Sequence, residues 1–178
     1  IRRQIEFMKE CQKRIKNILA ICWGMQVAVT AAGGVVNRGK NGAHRGIAHE
    51  IVINPDGLNH PIYKDKDKIF NTPAFNYDEV VTLPNNAILL SSNKVNNVMA
   101  LNFETEFSKI WGIQYHPEIT YEKMITLIKF RRERLLENKS FSDDKDLESH
   151  IKMIENEDKI TKKESRMREL KNWLELIT

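Results

Sequence analysis

The chain opens with apolar residues at helical spacing and then changes to a short, unbroken apolar run. Residues 2–17 carry their apolar side chains along one side of a predicted helix. That stripe consists of Ile5, Met8, Cys11 and Ile15. A thiol on such a stripe is expected to pack in the core. Residues 17–21 have the length and composition of a buried parallel strand, and residues 23–32 have helical length before a glycine pair ends them. The predicted order is therefore helix, strand, Cys22, helix.

Six further apolar segments, separated by turn signals, predict short strands through the middle of the chain. They occupy residues 46–54, 68–75, 80–84, 87–93, 97–103 and 110–118. Their close spacing favours antiparallel pairing, whereas the strand at 17–21 and its following helix form the only visible unit of a parallel sheet. We therefore predict an α/β fold in which a parallel core is extended by antiparallel strands and flanked by helices.

The last third of the chain is predicted to be helical. The apolar stripe of the first helix there consists of Met124, Leu127, Ile128 and Leu135. After a polar break at 138–146, two more helices are predicted around 147–154 and 162–177, with mixed charges typical of a solvated face. The residues expected to dock on the body of the protein or on a second copy of the chain are Trp173, Leu174 and Ile177. A partner-binding arm is the alternative. We therefore divide the chain into a main domain, 1–137, and a helical extension, 138–178.

Charge and cysteine content narrow the function classes. The net charge of +4 arises from residues 1–17, which hold six Lys or Arg against two Asp or Glu. A basic footprint confined to one helix, without interleaved aromatic residues, argues against nucleic-acid binding. The two cysteines lack metal-ligand spacing, which predicts no metal site and a reducing compartment. No apolar run has the length of a membrane span and no signal-peptide pattern opens the chain, so we expect a cytoplasmic protein without membrane contact.

Cys22 lies between the predicted strand and the predicted helix, which is where a nucleophile elbow places its reactive side chain. Such a turn needs small neighbours, and Gly24 and Ala20 are both small. A helix N-terminus also stabilises a thiolate. On spacing alone, however, a buried structural thiol explains Cys22 equally well.

His116 and Glu118 end the last predicted strand, with Pro117 between them. Residues two apart in an extended segment face the same way, so both side chains can reach one site. A nucleophilic cysteine needs a base, and that base needs a carboxylate to orient its ring. The alternative for this pair is a solvated loop histidine beside a surface glutamate.

Two ordered segments together resemble the class I glutamine amidotransferases. They are "AICWGMQ" at 20–26 and "WGIQYHPE" at 111–118, which are similar to the elbow and the later His-Pro-Glu of that family. Further similarity lies in "AAGGVV" at 31–36 and "FNYDEVVTLPNNAILLSSN" at 75–93, so the resemblance spans residues 1–135. It implies a flavodoxin-like sheet, a Cys-His-Glu triad, glutamine as the substrate and no cofactor.

The resemblance also implies a role for each matching residue. Cys22 would attack the side-chain amide of glutamine to give a γ-glutamyl thioester, His116 would protonate the departing ammonia and then activate water, and Glu118 would orient the imidazole. The backbone N–H of Trp23 would be one oxyanion donor. The residues that match glutamine-holding positions are Gln26, Asn76, Tyr77 and Asp78.

The sequence departs from the family pattern at three places. Ala20 stands where the family usually has glycine, and Asn76 stands where relatives commonly have histidine. The upstream βα units of the fold, with the glycine-rich loop that donates a second oxyanion N–H, are absent from the matched region. We therefore expect a fragment that is poorly active on its own.

Three functions follow from this resemblance. The chain is an amidotransferase subunit that delivers ammonia to an acceptor on a separate synthetase polypeptide, a hydrolase of γ-glutamyl amides or peptides, or a non-catalytic binding member of the fold. The first is the main interpretation. Covalent labelling of Cys22 distinguishes the third from the other two, and substrate preference distinguishes the first from the second.

Overall fold

The computed structural model describes residues 1–178, which form ten strands and eight α-helices. The strands are β1 (Asn17–Ile21), β2 (Val35–Arg38), β3 (His44–Arg45), β4 (Ala48–Ile53), β5 (Ile69–Thr72), β6 (Phe75–Asn76), β7 (Asp78–Thr82), β8 (Ile88–Ser92), β9 (Ala100–Glu104) and β10 (Lys109–Ile113). The helices are α1 (Arg2–Arg14), α2 (Trp23–Ala31), α3 (Pro55–Leu58), α4 (Tyr121–Phe130), α5 (Arg132–Glu137), α6 (Asp144–Ile160), α7 (Lys163–Arg166) and α8 (Arg168–Ile177). A 3-10 turn covers Pro61–Tyr63.

Six of the strands form one mixed sheet in the order β1-β10-β9-β8-β4-β5. Only β1 and β10 are parallel, with Ala20 opposite Gly112, and every other pair in the sheet is antiparallel. Two separate ladders, β2 with β7 and β3 with β6, lie outside it. The predicted α/β fold is confirmed, and its parallel part is a single strand pair. The short strands β2, β3 and β6 were missed because two to four residues carry no clear alternation.

The sheet is packed on both faces, as the alternating side chains of β10, the strand next to the edge strand β1, show. Ile110 lies in an apolar cluster with Met25, Ala28 and Val29 of α2. Trp111 and Ile113 lie in the opposite cluster, whose other members include Ile51, Ile53, Leu90 and Tyr115. Helix α2 therefore sits directly on the strands that end at the candidate site.

Helix α1 is shorter than predicted and buries a different residue. It ends at Arg14, because Ile15 is already extended and leads into β1. Cys11, predicted to be in the core, is only partly buried. The buried residue is Gln12, whose Nε2 donates to the backbone oxygen of Ala28 in α2 at 3.0 Å. This hydrogen bond satisfies the buried polar group.

The C-terminal helices pack on the main body and share its apolar clusters. Leu147 and Ile151 of α6 pack with Tyr121 and Ile128 of α4. The ring of Trp173 in α8 meets that of Trp111 edge-on, with 6.4 Å between the ring centroids. The single helix predicted to run from Met124 to Leu135 is divided at Arg131 into α4 and α5. The domain division at residue 137 stays a prediction.

Most of the C-terminal charges are exposed, as the sequence predicts, but three polar residues of this region are buried. Arg166, Glu169 and Asn172 are all buried, and each makes hydrogen bonds to the body of the protein. Leu174, predicted to dock, is exposed. None of the helices is long and apolar enough to span a bilayer.

Candidate active site

Cys22 occupies a strained turn between β1 and α2. Its φ of 50° and ψ of −107° lie in a region that side-chain-bearing residues rarely adopt. The turn is held because the Cys22 N–H donates to Ile113 O at 2.7 Å and Cys22 O accepts from Gln26 N at 3.1 Å. Such a conformation costs about 1–3 kcal/mol and is concentrated at functional sites. The sharp strand-to-helix turn predicted for a nucleophile elbow is present at this residue.

The close packing around the turn depends on Gly112 and not on Gly24, the glycine that the sequence suggests. Ala20 is buried in β1 without a positive φ, so the absence of glycine there causes no strain. A Cβ on Gly24 would meet only the Ala20 Cβ, at 3.9 Å, which is an ordinary contact. On Gly112, however, a Cβ would lie 2.6 Å from Met25 Cγ. The close approach that seats α2 therefore depends on Gly112.

The sulfur of Cys22 contacts polar groups from two other segments. Gln114 Nε2 donates to Sγ at 3.4 Å, and Sγ lies 3.9 Å from Phe75 O. Gln114 is itself fully buried and held in place, because its Oε1 accepts from Gln26 Nε2 at 3.1 Å. Sequence reasoning missed Gln114, which lies in the bend directly after β10, two residues before His116.

His116 and Glu118 lie together beside Cys22, in the loop that follows β10 and not on the strand that the sequence predicts through residue 118. His116 Nδ1 is 2.7 Å from Glu118 Oε1, so Nε2 is the ring nitrogen left for the cysteine. Burial lowers the pKa of His116, but hydrogen bonds to Cys22 and Glu118, together with their negative charges, raise it to about 9. The imidazole is therefore protonated at neutral pH, next to the sulfur. The three side chains therefore lie in one connected cluster, which is the arrangement that a nucleophilic cysteine would require.

Cys22 opens onto a pocket of about 410 Å³ that also brings the other predicted residues together. Trp23, Gln26, Asn76, Tyr77 and Asp78 all line it. Trp23 is the first residue of α2, so its N–H is one of the unpaired donors at a helix N-terminus. This is the position of an oxyanion donor after an elbow.

Two of the lining residues use their side-chain amides inside the protein. Gln26 Nε2 donates to Asp78 O at 2.9 Å as well as to Gln114. The Asn76 amide donates to Asn96 Oδ1 at 2.9 Å, and its Oδ1 lies 2.8 Å from His44 Nδ1. Burial lowers the pKa of His44, so this ring is neutral. Both amides therefore hold the pocket wall in shape.

Four polar pocket residues were not identified from the sequence, besides the apolar Phe75 and Leu135. They are Arg38, Arg131, Arg134 and Asn138. Arg38 lies over the ring of Tyr77 at 4.4 Å and 3.9 Å from the Asp78 carboxylate. Arg131 lies 5.2 Å from the centroid of the Phe75 ring. No local signal distinguishes these arginines from the polar face of a helix or an edge strand, because they reach the pocket only through the packing of distant segments.

The chain is similar to known proteins in family, in sequence and in fold. The family described as glutamine amidotransferase class-I matches residues 1–132. A γ-glutamyl-L-1-hydroxyisopropylamide hydrolase from Pseudomonas sp is 30% identical over 142 residues, which cover 78% of this chain and 48% of that protein. One subunit of a glutamine-hydrolyzing GMP synthase from Methanosarcina acetivorans is 32% identical over 106 residues, covering 60% of this chain and 52% of the relative. The chain thus spans about half the length of the curated relatives it matches.

Solved structures show the same fold at low sequence identity. A glutamine amidotransferase from Thermotoga maritima superimposes with a TM-score of 0.72 at 20% identity, covering 99% of this chain and 68% of that one. A second, from Methylobacillus flagellatus, gives a TM-score of 0.62 at 14% identity, covering 96% and 69%. The helices beyond the family match are therefore included in these superpositions.

Proposed function

Because the chain belongs to the class I glutamine amidotransferase family, we propose that it hydrolyses the side-chain amide of glutamine through a γ-glutamyl thioester on Cys22. The observation that carries the proposal is the strained Cys22 at the start of α2, beside a protonated His116 that Glu118 orients. Neither the backbone strain nor the charged histidine is needed to pack a structural thiol. Both are what nucleophilic catalysis requires.

The first half of the reaction forms the thioester. The Cys22 thiolate attacks the γ-carbonyl carbon, and the Trp23 N–H stabilises the oxyanion that develops. As the carbon–nitrogen bond breaks, the His116 imidazolium gives its Nε2 proton to the departing nitrogen, so ammonia leaves and His116 becomes neutral. Glu118 keeps the ring in the orientation in which Nε2 faces the sulfur.

The second half hydrolyses the thioester. Neutral His116 takes a proton from water as the oxygen attacks the thioester carbonyl, and the carbon–sulfur bond then breaks to release glutamate and regenerate the thiolate. His116 ends protonated, as it began. One glutamine and one water therefore give one glutamate and one ammonia, and no other reactant is needed.

Labelling with a diazoketone analogue of glutamine tests the proposed nucleophile. We expect the unmodified chain to gain one covalent label, detected by intact mass, and a Cys22→Ala variant to gain none. The chain offers a matched control, since Cys11 is the only other cysteine, and Cys11→Ala should label like the parent. Labelling that persists in Cys22→Ala would refute the proposal and favour a non-catalytic binding role.

The proposal extends to the fate of the ammonia. We propose that an acceptor domain on a separate polypeptide consumes it. The proteins that support this are relatives named as one subunit of a glutamine-hydrolyzing GMP synthase. A cytoplasmic location and the docking of a second copy of the chain stay predictions of the sequence.

Hydrolysis of substituted γ-glutamyl amides, without transfer of ammonia, is the second candidate function. A relative named as a hydrolase of such an amide supports it. Comparing kcat/KM for glutamine with kcat/KM for a γ-glutamyl alkylamide and a γ-glutamyl peptide distinguishes the two functions. A marked preference for the substituted amides would replace the first proposal by the second.

A further inference from the structure

Two guanidinium groups on the wall of the Cys22 pocket have no counter-ion in the protein. Arg131 lies between α4 and α5, and Arg134 follows three residues later in α5. Both line the pocket that contains Cys22. Neither side chain makes a hydrogen bond or an ion pair with any residue of the chain. The guanidinium of Arg131 lies over the Phe75 ring, 5.2 Å from the ring centroid, in a cation–π contact.

Arg132, in the same segment, has counter-ions within the protein. Arg132 pairs with two carboxylates of α6, Asp144 at 2.7 Å and Glu148 at 2.5 Å. The same short segment therefore contains one arginine that ties α5 to α6 and two that are left free toward the pocket. Both free side chains are exposed and border the pocket that contains Cys22, and a guanidinium group matches the geometry of a carboxylate.

The charge of the pocket also exceeds what one γ-glutamyl group needs. Arg38, Arg131 and Arg134 bring three positive charges, and Asp78 is the one carboxylate that lines the pocket. Asp78 can hold an α-ammonium group, and one arginine can hold an α-carboxylate. At least one guanidinium then remains for a further carboxylate, which arginine binds in a two-pronged geometry.

We propose that Arg131 and Arg134 form a carboxylate-binding subsite that selects γ-glutamyl substrates by an acidic group. This inference rests on the proposed hydrolysis of γ-glutamyl amides. The carboxylate comes from one of two sources: the α-carboxylate of the γ-glutamyl group, or a carboxylate on the departing amine, as in a γ-glutamyl amino acid. The shared chemistry is a carboxylate within reach of both guanidinium groups while the amide carbon lies at Cys22.

Steady-state kinetics of an Arg131→Gln/Arg134→Gln double variant test the subsite. The substrates are glutamine, γ-glutamylglycine, a γ-glutamyl alkylamide, and the glutamine analogue in which hydrogen replaces the α-carboxylate. We expect KM to rise about tenfold for the substrates whose carboxylate the two arginines bind, since two exposed charge pairs are lost. This rise should become smaller as salt is added. Arg132→Gln is the control, because it removes the same charge from the same segment but not from the pocket wall.

The pattern across the substrates identifies the source of the carboxylate. A rise in KM for γ-glutamylglycine alone assigns the subsite to the departing amine. A rise for all three substrates that keep the α-carboxylate, with none for the analogue that lacks it, assigns the subsite to the γ-glutamyl group. An equal rise for that analogue, or the same rise in Arg132→Gln, overturns the proposal.

Alkylation of Cys22 tests the subsite separately from turnover. Iodoacetate is anionic and iodoacetamide is neutral, so the ratio of their rates reports the attraction of a carboxylate to the pocket. We expect this ratio to fall several-fold in the double variant and to stay at the parental value in Arg132→Gln. If no γ-glutamyl compound is hydrolysed but the ratio falls, the proposed function fails and the subsite stands. An unchanged ratio overturns the subsite whatever the turnover.

Discussion

The Glu118 carboxylate is one of the groups that raise the pKa of His116. Burial lowers this pKa, but hydrogen bonds and charge interactions with Cys22 and with Glu118 raise it to about 9. Because ammonia leaves with a proton from the imidazolium in the proposed reaction, kcat/KM for glutamine should fall as the pH rises through about 9. In Glu118→Gln the charge is lost, so the pKa falls and this decline should move to lower pH. A pH profile of kcat/KM between pH 6 and 10 measures the shift.

A matched variant separates this effect from a general change in charge. Glu122 lies in the first turn of α4, and its carboxylate is not among the groups that affect the pKa of His116. Glu122→Gln should leave the decline in kcat/KM where it is. If Glu118→Gln lowers kcat/KM equally at every pH, then Glu118 affects folding or substrate binding and not the proton on His116.

Asn76 is the residue for which the sequence and the structure suggest different roles. The family resemblance assigns it to substrate binding, whereas its amide is engaged by Asn96, the Asp78 backbone and His44. Asn76→Ala leaves several buried partners without a hydrogen bond, which should lower the free energy of unfolding by about 1–3 kcal/mol. Urea unfolding measures this, with the exposed Asn37→Ala in β2 as control. A higher KM for glutamine without loss of stability would contradict the structural role.

At the scale of elements, Gly112 decides how closely α2 approaches the sheet. A Cβ at residue 112 would lie 2.6 Å from Met25 Cγ and 3.2 Å from Leu101 Cδ1. Because Met25 is fully buried, Gly112→Ala should push α2 away from β10 and cost about 1–3 kcal/mol of stability. The displaced helix should also slow labelling of Cys22. Urea unfolding and the rate of labelling by iodoacetamide are the two measurements.

Gly24→Ala is the opposite case and serves as the control. Its Cβ meets Ala20 at an ordinary 3.9 Å, and alanine favours the helix by about 1 kcal/mol over glycine. We therefore expect Gly24→Ala to keep or raise stability and to label at the parental rate. If Gly24→Ala were the more damaging of the two, the crowding around the turn would lie at the elbow and not between α2 and β10.

The elements that the sequence predicts well are those with a local pattern. The strand at 17–21, the helix that follows Cys22 and most of the antiparallel strands are found where alternation or helical spacing predicts them. Their motif suggested that His116 and Glu118 approach Cys22, although the strand predicted to carry them ends at Ile113 and both residues lie in the loop that follows. Gln114, Arg131 and Arg134 were not predictable, because their positions depend on how separate segments pack, and spacing along the chain does not contain that information.

At the scale of the whole molecule, the last two helices bury a charged network against the body. Lys66 Nζ lies 3.1 Å from Glu169 Oε2, with the two side chains 1% and 0% exposed. Burial lowers the pKa of Lys66, which the charge of Glu169 partly offsets. Glu169 Oε1 also accepts from the hydroxyl of Tyr115 at 2.8 Å, and Tyr115 directly precedes His116. The end of the chain is thus connected to the loop that positions the histidine.

Arg166 makes the second connection to that loop. Its guanidinium donates to the backbone oxygens of Pro117 and Ile119, the latter at 2.9 Å, so it holds the residues on both sides of Glu118. These contacts come from outside the segment that matches the family, residues 1–132. Arg166 is therefore a positioning residue for His116 and Glu118, and it touches neither the sulfur nor the pocket.

Arg166→Gln should consequently change the proton chemistry at His116 as well as stability. Loss of the charged hydrogen bonds should cost about 1.5–3 kcal/mol of unfolding free energy. With Glu118 less well held, kcat should fall about tenfold or more at nearly constant KM. The decline of kcat/KM near pH 9 should also move to lower pH. Arg166→Lys, which keeps the charge but offers fewer donors, should restore part of both effects.

Asn172 provides the control that a purely structural role for Arg166 would have to match. Its amide is buried in α8 and donates to Ile62 O and Lys64 O, both at 2.8 Å, so it anchors the same helical segment away from the His116 loop. Asn172→Ala should lose comparable stability while keeping the parental pH profile in the fraction that is folded. If the two variants have the same profile, Arg166 acts only by holding the C-terminal helices in place. A shift confined to Arg166→Gln means that helices beyond the family match set the geometry of the proposed catalytic pair.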